Sequence, residues 1–152
     1  MRYLALAGWI VLCYAAAAIG GLAAPDKWYT QIRKPSWNPP NWVFAPVWTL
    51  LFTMMGVAAW LVWEERATTD VKTALLLFGL QLVLNVAWSW IFFGMHRIDL
   101  AFLEVVPFWG AILATTLAFH QVRPLAGWLF VPYLAWVGFA GFLTFVLWRL
   151  NR

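Results

Sequence analysis

Charge is what this sequence has least of. Charged residues make up 11% of its 152 residues, where a soluble domain carries about a quarter. The chain therefore lacks the polar surface that a water-facing domain needs. Cysteine is nearly absent too: Cys13 stands alone, which excludes an internal disulfide. The two histidines, His96 and His120, fall at opposite ends of apolar segments, roughly 30 Å apart across a bilayer, so they cannot share an ion and no metal site is expected. No GxSxG, P-loop, CxxC or HExxH pattern occurs. Hydrolysis, phosphoryl transfer and dithiol chemistry have no visible apparatus. With so few loop residues, nucleic acid is not an expected partner.

What fills the space is hydrophobic: 64% of the chain, with 19% aromatic residues and 13 tryptophans. No charge occurs between Arg2 and Asp26, Lys34 and Glu64, Lys72 and Arg97, or Arg123 and Arg149. The run from Asp99 to Arg123 is broken only by Glu104. Crossing the hydrocarbon of a bilayer takes about 20 apolar residues, so these five runs predict an all-α membrane protein, a bundle of five transmembrane helices. The expected helices cover 4–24, 41–63, 72–93, 99–120 and 124–149, in one domain spanning 1–152, with a single long loop at 25–40. The alternating short segments of a β-barrel are missing. Arg2 and Ala23-Ala24-Pro25 loosely resemble a secretory signal, but the first run is longer than a signal's apolar region and is read as a helix.

Five spans put the termini on opposite faces. Arg2, Arg66, Lys72 and Arg123 share the N-terminal face; Lys27, Arg33, Lys34, Arg97, Arg149 and Arg152 share the other. By a margin of two charges, the positive-inside rule places the long loop and the C-terminus in the cytoplasm. The formal net charge of +4 suits anionic headgroups. Small residues one turn apart, Ala16/Gly20, Ala17/Gly21 and Gly110/Ala114/Ala118, allow helices to approach closely.

Most tryptophans lie near predicted helix ends, as interfacial anchors do. Trp48, Trp88, Trp90, Trp109 and Trp136 lie deeper, where an indole needs an acceptor for its N–H. At about 1.5 Å per residue, Trp48, Asn85, Trp88, Trp136 and Ala140 all fall in the half of the bundle nearest the long loop. Asn85 and Trp88, three apart, share a helix face, and an intramembrane Asn must find a partner in the bundle or in a ligand. On the residues alone, core packing and an aromatic-walled pocket both account for this grouping. Glu104 is read first as a structural residue, neutralised by Arg97 or Lys34 or reaching the interface, and second as a ligand contact.

The stretch from Lys34 to Thr49, KPSWNPPNWVFAPVWT, combines four prolines with three tryptophans. Pro35, Pro39 and Pro40 favour a stiff, extended backbone, and Trp28, Tyr29, Trp37 and Trp42 give it an amphipathic surface. Such a loop suits a lid over an apolar ligand. Pro46 falls about one turn into the second helix, beside Trp48.

The segments WYTQIRKPSWNPPNWVFAPVWT (28–49), LNVAWSWIFFG (84–94) and PYLAWVGFAGFLTFVLWR (132–149) resemble the TspO/MBR family, also called translocator protein, tryptophan-rich sensory protein or peripheral benzodiazepine receptor. The resemblance covers nearly the whole chain and points to a bacterial-type member, in the cell envelope. It implies a five-helix membrane protein, usually a homodimer, that binds porphyrins (protoporphyrin IX or haem) as ligands without a required cofactor, and sterol or drug-like molecules in animal members. The residues carried over to the pocket are Tyr29, Pro40, Trp48, Asn85, Trp88, Trp136 and Ala140. The functions implied are porphyrin transport, sensing or stress regulation, with a sterol- or lipid-binding membrane protein that has no porphyrin role as an alternative. Some members are proposed to degrade protoporphyrin IX in light through the tryptophans matching Trp48 and Trp136, which would then be catalytic; otherwise the chain is not an enzyme. A remnant of the sterol-recognition segment remains in Leu143, Phe145 and Arg149, with Phe145 where that segment has tyrosine. Arg33 and Lys34 are candidates for attracting porphyrin propionates.

Overall fold

The computed structural model describes residues 2–23 and 25–152, and among these every regular element is helical. Five long helices, α1 (Arg2–Gly21), α3 (Asn41–Glu64), α4 (Lys72–Ser89, continued by a wider π-type turn over Trp90–Gly94), α5 (Ile98–Val122) and α6 (Pro124–Asn151), are joined by short connections except for the long loop between α1 and α3. Each is long and apolar enough to cross a membrane. Their bounds lie within a few residues of the charge-free runs. The first helix stops at Gly21, three residues short of the expected end, and residue 24 itself lies outside the described residues.

The long loop departs from the extended form that its prolines suggest. Lys27–Gln31 forms a helical turn, α2, started by Asp26, whose carboxylate accepts the Tyr29 N–H at 3.4 Å. Asp is a favoured helix starter, and the prolines act only beyond this point, from Pro35 onward.

Neighbouring contacts close the long helices into a ring in the order α1, α3, α6, α5, α4. Two glycines set its tightest approaches. A Cβ on Gly56 would sit 3.0 Å from the Cα of Ile10, so α1 and α3 cross backbone to backbone there. A Cβ on Gly127 would sit 2.8 Å from the Cα of His120, where α5 turns directly into α6. The small residues expected to do this divide: a Cβ on Gly21 or Gly110 would meet nothing within 4 Å and one on Gly20 would meet Ser89, while Ala16, Ala17 and Ala118 pack against the core.

The ring is solid at one end. Phe78, Phe119, Phe130 and Tyr133, all fully buried, stack or meet edge to face with centroids 5.1 to 6.1 Å apart. Toward the long loop this aromatic plug stops, and the ring is hollow.

Candidate functional site

The hollow is a cavity of about 640 Å³ with walls from all five long helices and α2. Six of the seven residues expected there line it: Tyr29, Trp48, Asn85, Trp88, Trp136 and Ala140. Pro40 does not. It is the residue that starts α3, and its neighbour Asn41 reaches the wall instead. Trp48 and Trp136 meet edge to face, with centroids 6.5 Å apart and planes at 86°, so both indoles present surface to the same space.

Hydrogen bonding sorts the deep tryptophans. Trp90 donates its indole N–H to the Ile19 carbonyl on α1, and Trp109 donates to the Leu134 carbonyl on α6, each at 3.0 Å. These two tie helices together. Trp48, Trp88 and Trp136 donate to nothing among the described residues, and the N–H of Trp88 is buried without a partner. The indoles that line the cavity are the ones with nothing to hold.

Below them lies a polar floor that the sequence reading missed except for Asn85. Asn85 donates from Nδ2 to the Tyr133 hydroxyl at 2.8 Å, Tyr133 donates to Gln81 Oε1 at 2.7 Å, and Gln81 Nε2 faces the Met55 sulfur at 3.8 Å. The direction of this chain is forced from its far end. A thioether only accepts, so Gln81 turns its NH₂ toward Met55 and its oxygen toward Tyr133. Tyr133 must then accept from Asn85. Gln81 and Tyr133 are fully buried, and such groups are held only by a complete network.

The roof is tied down at both ends. At its start, the Asp26 carboxylate sits 3.1 Å from His96 Nε2, and the His96 ring stacks on Trp28 with centroids 4.5 Å apart. His96 has φ 57, a left-handed backbone uncommon outside glycine, which turns its ring back toward the loop after the π-type turn. Some desolvation pushes the Asp26 carboxyl up, but the His96 hydrogen bond, the Tyr29 N–H and the His96 charge together hold it below the ordinary carboxylate range. Midway along it, Asn151 clasps Arg33 in both directions: Arg33 N–H to Oδ1 and Nδ2 to the Arg33 carbonyl, each at 2.8 Å. Beyond that point, toward its far end, Trp37 stacks on Phe142 at 5.8 Å. Lys34 is half-buried, with its ammonium on the Tyr29 carbonyl and 4.6 Å from the centre of the Tyr29 ring. That charge serves the loop itself.

Gly21 on α1 and Ala45 and Thr49 on α3 line the cavity and are themselves exposed. The Tyr14 hydroxyl bonds to Thr53 just beyond that stretch.

One pairing needs correction. Glu104 pairs with neither Arg97 nor Lys34: Arg97 grips Asp99 through two bonds of 3.0 and 2.9 Å, Lys34 is engaged as above, and both Glu104 oxygens are buried without a partner among the described residues. It does not line the cavity either. The sterol-segment remnant is dispersed. Leu143 lines the cavity, Phe145 packs on Phe102 at 5.3 Å, and Arg149 is exposed.

Comparison with known proteins agrees with this architecture. The sequence profile of the TspO/MBR family matches residues 9–149. The chain is 43% identical over 157 residues to the tryptophan-rich protein TspO of Chlorobaculum tepidum, covering 99% of this chain and 98% of that one. It is 42% identical over 142 residues to the tryptophan-rich sensory protein of Cereibacter sphaeroides, covering 93% and 88%. It is 44% identical over 128 residues to the human translocator protein, covering 83% and 76%. Five apolar spans, a tryptophan-walled hollow beneath the first loop and a match across nearly its whole length make this chain an integral membrane member of the TspO/MBR family.

Proposed function

We propose that the protein binds porphyrin, protoporphyrin IX or haem, in the cavity under its first loop and moves or senses it, with no resident cofactor. The observation that supports this most is the pairing of Trp48 and Trp136, two indoles without hydrogen-bond partners set edge to face on a shared hollow. A flat aromatic macrocycle stacks or abuts such rings favourably. A volume of about 640 Å³ falls within the ordinary range of small-molecule sites. The names of the relatives, translocator protein and tryptophan-rich sensory protein, suit a carrier or sensor. As part of the same proposal, the chain forms a homodimer in a bacterial envelope, with the first loop and C-terminus in the cytoplasm.

Titration of the reconstituted protein with protoporphyrin IX tests this reading through quenching of tryptophan fluorescence. The expected result is saturable quenching that weakens at least tenfold in the Trp48→Phe/Trp136→Phe double variant, with the helical circular dichroism retained. Unchanged quenching in that variant rejects the site. The close indole pair also supports a second reading, in which illuminated porphyrin takes an electron from Trp48 or Trp136, leaving an indole radical cation, and dioxygen then oxidises the porphyrin radical anion and opens the macrocycle. Bleaching of the Soret band no faster than with free tryptophan removes that reading.

A further inference from the structure

A second concavity, of about 430 Å³, lies at the opposite membrane face, where α3 ends and α4 begins. Trp63, Arg66, Thr69, Lys72, Leu75 and Leu76 line it. Four basic residues occupy this face, and two are matched by glutamates: Arg2 lies 3.9 Å from Glu64, and Arg123 lies 3.8 Å from Glu65. The two left without a carboxylate partner among the described residues, Arg66 and Lys72, are the two in the groove. Arg66 places its guanidinium carbon over the Trp63 ring at 4.3 Å and donates to the Trp63 carbonyl at 3.0 Å, so its guanidinium is held in place with donors to spare. Lys72 uses only its backbone N–H, which binds Asp70 Oδ1 at 3.0 Å. Asp70 also lines the groove. Against two cations it leaves one uncompensated positive charge, the complement of a phosphodiester monoanion.

The groove also has an apolar continuation. Leu76, Leu80 and Val83, spaced along one face of α4, are exposed toward the bilayer directly below it. A headgroup between Arg66 and Lys72 thereby has a track for its acyl chain.

We infer that this groove is a binding site for an anionic glycerophospholipid. The site is separate from the cavity under the first loop, and it stands whether or not that cavity binds porphyrin. Arg66 and Lys72 hold the phosphate, and the exposed α4 face carries the chain. Free inorganic phosphate gains nothing from the apolar track and binds poorly by comparison.

Native mass spectrometry of the full chain, released from micelles containing equal phosphatidylglycerol and phosphatidylcholine, tests the inference. The expected result is preferential retention of phosphatidylglycerol, reduced roughly tenfold in Arg66→Gln/Lys72→Gln. Arg149→Gln/Arg152→Gln, with the same charge loss at the other face, should retain it as the parent does. Asp70→Asn should increase retention. Equal retention of the two lipids overturns the proposal, as does equal loss in the two double variants. Displacement of the bound lipid by inorganic phosphate alone overturns the role of the chain track.

Discussion

Removing the Asn151 side chain should open the roof without unfolding the bundle. In Asn151→Ala the two bonds to Arg33 disappear, both at 2.8 Å and both exposed. A net hydrogen bond contributes about 0.5–1.5 kcal/mol. Exposure puts these near the lower end, so the pair is worth roughly 1–2 kcal/mol. That shifts the closed-to-open equilibrium of the loop about tenfold, at 1.4 kcal/mol per decade. The other ties, Asp26 to His96 and Trp37 on Phe142, remain. Hydrogen exchange read on residues 27–38 in detergent should therefore speed up about tenfold, while exchange in the core of α5 and α6 stays unchanged. Asn151→Asp keeps the acceptor for the Arg33 N–H but loses the donor, and should give roughly half the free-energy effect. Unchanged loop exchange in Asn151→Ala would refute the clasp. Acceleration throughout the bundle would show that Asn151 stabilises the fold rather than the roof.

Three further outcomes follow from the same geometry. Tyr133→Phe removes the hydroxyl that joins Asn85 to Gln81 and leaves two buried amides short of a partner, so the thermal midpoint should fall by an amount equivalent to about 2–3 kcal/mol; an unchanged midpoint would mean that water replaces the hydroxyl. Gly56→Ala forces a methyl against the Ile10 backbone and should cost about 1–3 kcal/mol in the same assay, whereas Gly110→Ala, which meets nothing, should be silent. Because the Asp26 carboxyl is held below its ordinary range in the fold, its contribution is complete above about pH 4 and is lost as pH falls further; proteolysis within the first loop should accelerate over that acidic range, and Asp26→Asn should abolish the pH dependence.

How much of this could be read from the chain depends on range. The five spans are written in local composition, because each must be free of charge over a bilayer's thickness, and their ends sit where the charges resume. The cavity walls were legible for a related reason: depth along a helix follows from residue count, so Trp48, Asn85, Trp88, Trp136 and Ala140 fall at one level whichever way the helices pack. What composition does not carry is partnership at long separation. Arg33 and Asn151 are 118 positions apart, and nothing near either residue announces the other. The Tyr133 network was hidden because a tyrosine inside a span reads equally as core or interface until its hydroxyl has a neighbour. Glu104 was expected to pair on the assumption that cations on its own membrane face were available. Asp99 stands closer to Arg97 and takes it, and the loop carbonyls take Lys34. The glycines misled for the same reason, since spacing marks a helix face but only packing shows which face meets a neighbour.

The central claim is that the hollow beneath the first loop is the place where the ligand sits. Ala140 lines that hollow and is not one of the residues that tie down the roof, so Ala140→Trp fills the space while leaving Trp48, Trp136 and the loop anchors unsubstituted. Binding of protoporphyrin IX to this variant, measured by Soret absorbance in reconstituted bilayers, is the most direct measurement. A bulky side chain in an occupied site should abolish saturable binding while the thermal midpoint is preserved. Binding with the affinity of the parent protein would mean that the porphyrin docks elsewhere.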